Sequence, residues 1–292
     1  MNPTLTVKQF RALLPIICNR ETSQSPDGWT KDNPLWGHCA AVSLLAQNIF
    51  GGELLRASLA EIPEFAFMRS HYWNRLKDGT VEDFTKSQFG NNYPLGLKAE
   101  VRNREYAVSY SETAKRYKLL AFRLAKVLNY PNSLFDDEIY KKCFYAALDS
   151  PCQKMKFGCV IMHKGLAVFE CQNKTIEPLK SLCQPECIRF SIRSRTESML
   201  GACGHAEEIA LWETVHRGIP IHECDLYIAG LYSNGLPWFK KCAEHTCLRC
   251  AVQMYHAKIR NIHVPVFDRW EAISTEKAIE TALAYATQNK KI

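Results

Sequence analysis

Gly204-His205-Ala206-Glu207-Glu208 and Cys247-Leu248-Arg249-Cys250 are the two stretches that decide how the C-terminal half of this 292-residue chain folds. Each stretch opens a predicted helix. A Cys-x-x-Cys at a helix start places two thiols on one turn, and the positive helix end favours the thiolate form that binds metal. A histidine from a facing helix brings the protein ligands to three, and an open fourth position is typical of catalytic zinc. We therefore predict that His205, Cys247 and Cys250 bind Zn²⁺.

Glu207 lies two residues after His205, at the head of the same predicted helix. Its carboxylate reaches a water molecule on the metal without becoming a ligand. Zinc lowers the pKa of that water, hydroxide attacks an amidine-like ring carbon, and the carboxylate moves a proton to the ring nitrogen and to the departing ammonia. We therefore predict that Glu207 is the proton shuttle. For a Cys-x-x-Cys alone, a buried pair or a structural metal site is the alternative.

The order of predicted elements around these stretches indicates an α/β fold with a mixed sheet. After the Tyr130-Pro131-Asn132 break, a helix and a hairpin are followed by alternating helices and strands. Helices are expected over 136–148, 205–217, 247–257 and 275–287, and strands over 158–163, 166–172, 225–231 and 261–266. Helices on both faces of the sheet make a three-layer α/β/α domain, to which we assign residues 131–292.

Residues 1–130 form a separate predicted domain of the α+β class. Apolar spacing and turn residues predict helices over 7–18, 38–50 and 112–128, and strands over 53–59, 70–75 and 80–84. Asp78-Gly79 forms the hairpin turn between the last two strands, and Gly51-Gly52 ends the second helix. The N-terminal half is therefore expected to combine helices with an antiparallel sheet.

The spacing His-x-Glu followed by Cys-x-x-Cys resembles the cytidine and deoxycytidylate deaminase superfamily, over about half of the chain. Gly158-Cys159-Val160-Ile161 is similar to the first inner strand of that family. The resemblance implies a hydrolase of nucleotide metabolism that deaminates a cytosine-type nucleotide or related nucleobase, with Asn173 on the substrate sugar. Cys187, Arg189 and Cys203 are closer to the deoxycytidylate branch. Thr246 departs from the family, which usually has proline there.

Positive charge is concentrated in one stretch, although the formal net charge of the chain is only +7. We expect its arginines to meet a substrate phosphate; a solvated loop is the alternative. Aromatic residues near the expected pocket mouth would stack on an extruded base or close a small pocket. A free nucleotide is the preferred substrate, and nucleic acid remains an alternative. The basic residues are Lys180, Arg189, Arg193 and Arg195, and the aromatic ones are Phe190, Trp238 and Phe239.

The thirteen cysteines are an odd number in a long chain in which we find neither a secretory signal nor a membrane span. We expect a cytoplasmic protein whose cysteines serve thiol chemistry, metal binding or burial rather than disulfides. Cys242 or His245 would compete as zinc ligands. Cys183, Cys187 and Cys203 would form part of a second, structural zinc site, or are unpaired loop thiols. Deaminase folds of this size commonly pair or form tetramers, so we expect a homo-oligomer.

The N-terminal half has a second candidate site. Cys39 begins an apolar helix, His71 follows on a strand, and Asp83 lies on the partner strand of the hairpin. Cysteine, histidine and acid in this order are the arrangement of papain-like thiol enzymes. The alternative is a core thiol and a core histidine. Trp36-Gly37-His38-Cys39 and His71-Tyr72-Trp73-Asn74 also resemble the YunG-like family, a resemblance that implies no settled activity.

Three classes of function therefore compete. The first is zinc-dependent hydrolytic deamination, of a free nucleotide or of a base in single-stranded nucleic acid. The second is a thiol amidase or peptidase using Cys39, His71 and Asp83, either beside the deaminase or with a structural zinc domain. The third is a nucleic-acid-binding module in which Glu207 is dispensable and binding weakens steeply with salt.

Overall fold

The computed structural model describes residues 4–183, 186–192, 203–239 and 246–288. The chain divides into two compact units, Met1–Leu128 and Asn129–Ile292. The boundary between the two units, after Leu128, lies close to the domain boundary expected after residue 130. Within the described ranges, no helix is both long and apolar enough to cross a membrane.

Unit 1 combines four α-helices with a four-stranded antiparallel sheet. The helices are α1 (Val7–Ile17), α2 (Cys39–Phe50), α3 (Arg104–Val108) and α4 (Ser111–Leu128). The strands are β1 (Glu53–Ser58), β2 (Ser70–Arg75), β3 (Val81–Glu82) and β4 (Glu100–Arg102), in the order β3-β2-β1-β4. The strand predicted over 80–84 is reduced to two residues, and α3 and β4 are not among the predicted elements.

Local sequence explains where α1 and α2 begin and end. Thr6 caps α1, because its Oγ1 accepts a hydrogen bond from the Gln9 backbone N–H at 3.2 Å. Gln9 Oε1 in turn accepts the Thr6 backbone N–H at 2.9 Å, which completes a capping box. Gly51 ends α2 with φ +71°, a backbone conformation that glycine adopts without strain. Cys39 is the first residue of α2 and is buried, as are most residues of the first half of this helix.

Unit 2 contains the remaining elements. Its helices are α5 (Glu138–Leu148), α6 (Ala206–His216), α7 (Leu248–His256) and α8 (Thr275–Gln288). Its strands are β5 (Met155–His163), β6 (Leu166–Gln172), β7 (Lys174–Thr175), β8 (Cys203–Gly204), β9 (Cys224–Tyr232), β10 (Pro237–Trp238), β11 (Asn261–Val266) and β12 (Arg269–Ile273). The main sheet has the order β12-β11-β9-β5-β6, β10 pairs with β9, and β7 pairs with β8.

The main sheet is mixed and covered by helices on both faces. Strands β9 and β11 run parallel, whereas β5 pairs antiparallel with both β6 and β9. A Cβ on Gly158 would collide with the backbone of α5, so α5 lies directly against one face. Cys159 and Ile161 belong to the buried cluster on the other face, together with residues of α6 and α7. The α/β class predicted from the sequence is confirmed.

Candidate functional site

The three predicted zinc ligands meet at the N-terminal ends of two helices. His205 directly precedes α6, Cys247 directly precedes α7, and Cys250 lies in the first turn of α7. His205 Nδ1 lies 3.3 Å from the Sγ atom of each cysteine, and the two Sγ atoms lie 3.4 Å apart. Cys250 is fully buried and Cys247 is 5% exposed. The structure thus brings together one nitrogen and two sulfur donor atoms from two segments that lie about 40 residues apart in the sequence.

The separations between these donor atoms fit zinc. Tetrahedral zinc with bonds of about 2.3 Å to sulfur and about 2.0 Å to nitrogen separates its donor atoms by about 3.5 Å. All three donor atoms lie within 4.8 Å of one another. One imidazole and two thiolates are a set that zinc prefers, and three protein ligands leave a fourth position for water. His205, Cys247 and Cys250 therefore form a candidate zinc centre.

The two cysteines differ in their affinity for protons. A hydrogen bond with Cys250 lowers the pKa of Cys247; burial opposes this effect and His205 adds to it. Burial raises the pKa of Cys250, and the hydrogen bond with Cys247 raises that pKa further. Because zinc binds thiolates, metal binding at this centre releases protons.

Glu207 lies in the first turn of α6, next to the zinc centre in the sequence, and is only 3% exposed. Burial raises the pKa of its carboxyl group to about 7, and the positive charge of His205 partly opposes the increase. A carboxyl group with a pKa near neutrality exchanges protons readily in both directions. Glu207 therefore has the property that a proton shuttle needs.

Glu208 connects the helix of the histidine ligand to the helix of the cysteine ligands. Its Oε2 accepts hydrogen bonds from the His205 backbone N–H at 3.1 Å and from Arg249 Nη2 at 2.5 Å. Its Oε1 accepts a hydrogen bond from Gln253 Nε2 at 2.8 Å. This clamp, formed by Glu208, Arg249 and Gln253, holds α6 and α7 together beside the metal ligands. The sequence analysis missed it, and the one local signal was a glutamate at the third position of a helix.

Asn173, predicted to contact the substrate sugar, is almost buried and is bonded to the protein at both ends of its carboxamide. Its Oδ1 accepts hydrogen bonds from the Phe157 backbone N–H and from Ser150 Oγ, each at 2.7 Å. Its Nδ2 donates to the Met155 carbonyl oxygen at 3.0 Å. The carboxamide has a second donor hydrogen that these contacts do not use. The sugar contact of Asn173 therefore remains a prediction, alongside an observed role in joining the start of β5 to the end of β6.

The predicted phosphate-binding arginines fall in the segment between β7 and β8. Arg189 is half-buried, and its backbone carbonyl oxygen accepts a hydrogen bond from Lys154 Nζ at 2.8 Å. Arg193 and Arg195 lie outside the described residues, as do the alternative zinc ligands Cys242 and His245. The roles of these residues remain predictions.

The three aromatic residues predicted near the pocket mouth differ in their surroundings. Phe190 is 47% exposed. Trp238 packs edge-on against Phe157, with 5.7 Å between ring centroids. Phe239 stacks on the buried Tyr140 of α5 at 6.0 Å. Phe239 therefore contributes to packing against α5, which the sequence alone did not indicate.

The cysteines considered for a second zinc site lie close together. The Cys183 thiol is within hydrogen-bond reach of both Cys187 and Cys203, and Cys152 lies near enough to influence both electrostatically. Among the residues that the structure describes, the group of side chains placed closely enough to hold a metal ion is His205, Cys247 and Cys250. A second zinc therefore stays a prediction.

Unit 1 brings Cys39, His71 and Asp83 together. Cys39 begins α2, His71 lies on β2, and Asp83 directly follows β3. His71 Nε2 is 2.7 Å from Asp83 Oδ2, and the Cys39 thiol is hydrogen-bonded to the same imidazole. Gln88, which the sequence analysis did not single out, places its Nε2 atom 3.4 Å from His71 Nδ1.

His71 and Asp83 form a buried ion pair. Burial alone lowers the pKa of His71, but the hydrogen bonds with Asp83 and Cys39 overcome that effect and raise the pKa to about 9. Burial is the largest single effect on the pKa of Asp83 and acts to raise it, but the hydrogen bond and positive charge of His71, together with hydrogen bonds from Thr85 and Tyr93, leave the pKa lowered. Tyr93 donates a further hydrogen bond to Asp83 Oδ2 at 3.1 Å. Asp83 therefore stays ionised and fixes the orientation of the imidazole.

Two family models match the chain, one in each half. Residues 134–265 match the cytidine and deoxycytidylate deaminase zinc-binding region, and residues 6–129 match the YunG protein family. The comparison with curated proteins gives no match. Both resemblances inferred from the sequence are confirmed. Together with the cluster of His205, Cys247 and Cys250, the C-terminal match shows a zinc-dependent, cytidine and deoxycytidylate deaminase-like domain.

Proposed function

We propose that this C-terminal deaminase domain hydrolyses the exocyclic amine of a cytosine-type nucleotide or a related nucleobase. One observation carries the proposal. A carboxylic acid with a pKa near neutrality, Glu207, is buried at the start of the same helix that carries one metal ligand. Burying a carboxyl group is costly, so a purely structural zinc site has no use for it.

Zinc held by His205, Cys247 and Cys250 would supply a Lewis acid that makes water nucleophilic near neutral pH. The chain itself moves the protons. Glu207 takes a proton from the attacking water and delivers it to the ring nitrogen as the C–O bond forms, which makes the ring carbon tetrahedral. It then carries a second proton to the amine, the C–N bond breaks, and ammonia leaves as a neutral molecule.

The clamp of Glu208, Arg249 and Gln253 supports this chemistry by fixing the two helix starts relative to each other. A displacement of either helix would change the separation between His205 and the cysteine sulfurs. Groups that orient metal ligands in this way commonly affect metal affinity and activity.

A phosphorylated substrate is favoured over a free base by the positive charge between β7 and β8. We propose that Arg189 contacts the substrate phosphate, assisted by Arg193 and Arg195. Arginine is suited to this task because its planar guanidinium donates paired hydrogen bonds to phosphate oxygens. Asn173 is proposed to contact the sugar through its remaining donor hydrogen.

Single-stranded nucleic acid is the second candidate substrate. It requires exposed aromatic rings on which bases stack. Of the three rings considered, Phe190 is 47% exposed, whereas Phe239 is stacked on Tyr140. Since one predicted stacking ring is engaged in the fold, a small nucleotide remains the preferred substrate.

Thiol hydrolysis by Cys39 is a second candidate activity, and it belongs to unit 1. The contact that favours it is the 2.7 Å hydrogen bond between His71 Nε2 and Asp83 Oδ2. Thiol hydrolysis by Cys39 would not require the zinc centre, so each activity has its own test.

The test of deamination compares the wild-type chain with Glu207→Gln, which keeps the shape of the side chain and removes its acid group. Zinc content and ammonia release are measured over cytosine, adenine and guanine bases, nucleosides, nucleotides and single-stranded oligonucleotides. We expect both proteins to bind zinc and only the wild type to release ammonia, fastest from a cytosine nucleotide.

Glu213→Gln is the matched control, because it makes the same chemical change further along α6. It should retain activity. Wild-type protein that binds no zinc would refute the zinc site, and ammonia release by Glu207→Gln at the wild-type rate would refute the proton shuttle. A substrate panel in which only oligonucleotides react would replace the nucleotide with single-stranded nucleic acid.

A further inference from the structure

A closed ring of hydrogen bonds surrounds the imidazole of His71 in unit 1. His71 Nε2 bonds to Asp83 Oδ2 at 2.7 Å, and Asp83 Oδ1 accepts the Thr85 hydroxyl at 3.3 Å. Thr85 Oγ1 accepts Gln88 Nε2 at 3.2 Å, and Gln88 Nε2 lies 3.4 Å from His71 Nδ1. Both nitrogens of the imidazole are therefore held by side chains that are linked to each other.

The ring of His71, Asp83, Thr85 and Gln88 is buried. His71 is fully buried, and Thr85 and Gln88 are each 1% exposed. The Oε1 atom of Gln88 is buried without a hydrogen-bond partner among the described residues. A core histidine needs one acceptor and one donor when it is neutral, and two acceptors when it is protonated. An enclosed network that leaves a polar atom unsatisfied is more than the packing of a core histidine requires.

Cys39 is placed where this imidazole can exchange a proton with it. The thiol hydrogen-bonds to His71, and Cys39 itself is 5% exposed. The first hydrogen bond at the start of α2 runs from the Val42 N–H to the His38 carbonyl at 2.9 Å. The N–H groups that precede it therefore lack acceptors within the helix and are available to a negatively charged oxygen beside Cys39.

Building on the thiol activity proposed above for Cys39, His71 and Asp83, we propose that this site hydrolyses an amide or ester with a slim acyl group. Thr85 and Gln88 are its positioning residues. This activity is separate from deamination, because the two sites lie in different units of the chain.

The reaction balances without any oxidant or metal. The Cys39 sulfur attacks the carbonyl carbon and forms a C–S bond while the thiol proton passes to the neutral form of the His71 imidazole. Loss of the amine or alcohol breaks the C–N or C–O bond, and His71 returns the proton to that leaving group. Water then adds to the thioester with His71 as base, the C–S bond breaks, and a carboxylic acid leaves as the thiol is restored.

The restriction to slim acyl groups follows from the walls of the site. Trp73 stacks on His71 with ring centroids 5.5 Å apart, and Phe89 packs edge-on at 4.9 Å. Tyr93 closes a further side with a centroid distance of 6.4 Å. With the imidazole enclosed by three aromatic rings and the sulfur almost buried, a bulky acyl group would not reach Cys39.

The test uses the full-length chain and p-nitrophenyl acetate, a small activated ester. Release of p-nitrophenol is followed, and the acetylated cysteine is identified by peptide mass spectrometry. Cys18→Ser is the matched control, because Cys18 is the other cysteine of unit 1 and is similarly buried at 2% exposure. We expect acetylation at Cys39 alone, unaffected by Cys18→Ser.

His71→Gln should slow acetylation of Cys39 by about 100-fold or more, the usual contribution of a positioned base. Asp83→Asn should slow it and shift its pH profile to lower pH, because the imidazole loses the carboxylate that raises its pKa. Thr85→Val should slow it by about tenfold, with recovery in Thr85→Ser, which restores the hydroxyl. If Thr85 only stabilised the fold, Thr85→Val would leave the pH profile of Cys39 acetylation unchanged.

Circular dichroism and melting temperatures establish that each variant is folded. The proposal is overturned if Cys39 in the wild type is acetylated no faster than Cys18. It is equally overturned if folded His71→Gln and Asp83→Asn variants react at the wild-type rate. Glu207→Gln should leave acetylation unchanged, so failure of the deaminase proposal would not affect this test.

Discussion

Two largely buried acidic residues, one in each unit, have pKa values shifted in opposite directions. Glu207 in unit 2 has a pKa raised to about 7, chiefly by burial. The side chain of Asp83 in unit 1 is 10% exposed, yet its pKa is lowered, because His71 and the hydrogen bonds from Thr85 and Tyr93 together outweigh burial. A buried acid beside a strong hydrogen-bonded partner thus remains a fixed charge, whereas a buried acid dominated by desolvation becomes a proton carrier.

The comparison assigns different tasks to similar residues. Both sites combine cysteine, histidine and an acid, with a cysteine at the start of a helix. In unit 2 the histidine contacts two sulfurs, and the proposed proton carrier is Glu207. In unit 1 the histidine is bonded to the acid itself, and the proposed proton carrier is the imidazole. The pairing of the histidine therefore distinguishes a metal centre from a thiol site.

Removing a metal ligand should have the largest effect, because it should abolish the activity of unit 2 and leave that of unit 1. Cys250→Ser replaces a buried thiolate donor with a poor zinc ligand, and we expect bound zinc and ammonia release to fall to background. Acetylation of Cys39 should keep its wild-type rate. Metal analysis and both activity assays on the same preparation measure these effects.

Cys224→Ser is the control for that experiment, because Cys224 is a fully buried thiol of the same core and not one of the ligands. It should retain zinc. A Cys250→Ser protein with full zinc and full activity would contradict the assignment of the ligands.

Breaking the ion pair of His71 and Asp83 should change how stability depends on pH. The pKa of His71 rises from 6.5 to about 9 on folding, so its contribution is complete below pH 6.5 and is lost as pH rises through 9. The contribution is on the order of 3 kcal/mol. Asp83 acts in the opposite direction, and its contribution is lost only in acid.

The measurement compares thermal midpoints of the wild type and Asp83→Asn at several values of pH. The groups that face His71 are Asp83, Cys39, Gln88 and Tyr93. We expect the difference in midpoint between the two proteins to shrink as pH rises from 6.5 to above 9. Asp32→Asn, an exposed acid of the same unit, should show no such trend. A constant difference would show that the pair does not exist as an ion pair.

Loosening the clamp should have a smaller effect on the zinc centre. Glu208→Gln removes the charge that holds Arg249 at 2.5 Å while preserving side-chain size. Loss of such a supporting contact commonly weakens metal affinity by about 10- to 100-fold. Competition with a zinc chelator measures this directly, and Glu213→Gln should behave like the wild type. Unchanged affinity would show that the clamp serves folding alone.

The three predicted metal ligands come together in the structure, and the sequence could indicate them because its signals are local. His205, Cys247 and Cys250 are recognised from short motifs at helix starts, and each predicted helix is present. The clamp was not predictable in this way, since Glu208 and Arg249 belong to different helices and meet only in the folded chain. The same holds for the ring through Thr85 and Gln88.

The short strands at the edges of the sheets were also not predictable from the sequence. Strand β12 has the exposure pattern of an edge strand, with one buried residue in five, so alternation gives a weak signal. Strand β4 is three residues long, and none of the three is buried. Phe239 was assigned to the pocket mouth from its position alone, although its ring stacks on Tyr140. Packing partners of this kind are tertiary and leave no mark on local sequence.

The smallest predicted effect distinguishes a phosphorylated substrate from an unphosphorylated one. Arg189→Ala should raise KM for the nucleotide by about tenfold, the loss expected for one charged hydrogen bond to phosphate. KM for the corresponding nucleoside should not change, since the nucleoside has no phosphate for Arg189 to contact. The backbone contact between Lys154 and residue 189 is preserved in this variant, so the segment keeps that attachment.

Arg269→Ala removes the same charge from a side chain that is 75% exposed in β12, and it should leave both KM values unchanged. Steady-state kinetics on the nucleotide and nucleoside therefore separate a phosphate contact from a general effect of net charge. Equal increases for both substrates would place Arg189 at the base or sugar instead. An increase only for oligonucleotides, with a steep dependence on salt, would identify a nucleic-acid backbone as the anion that this segment binds.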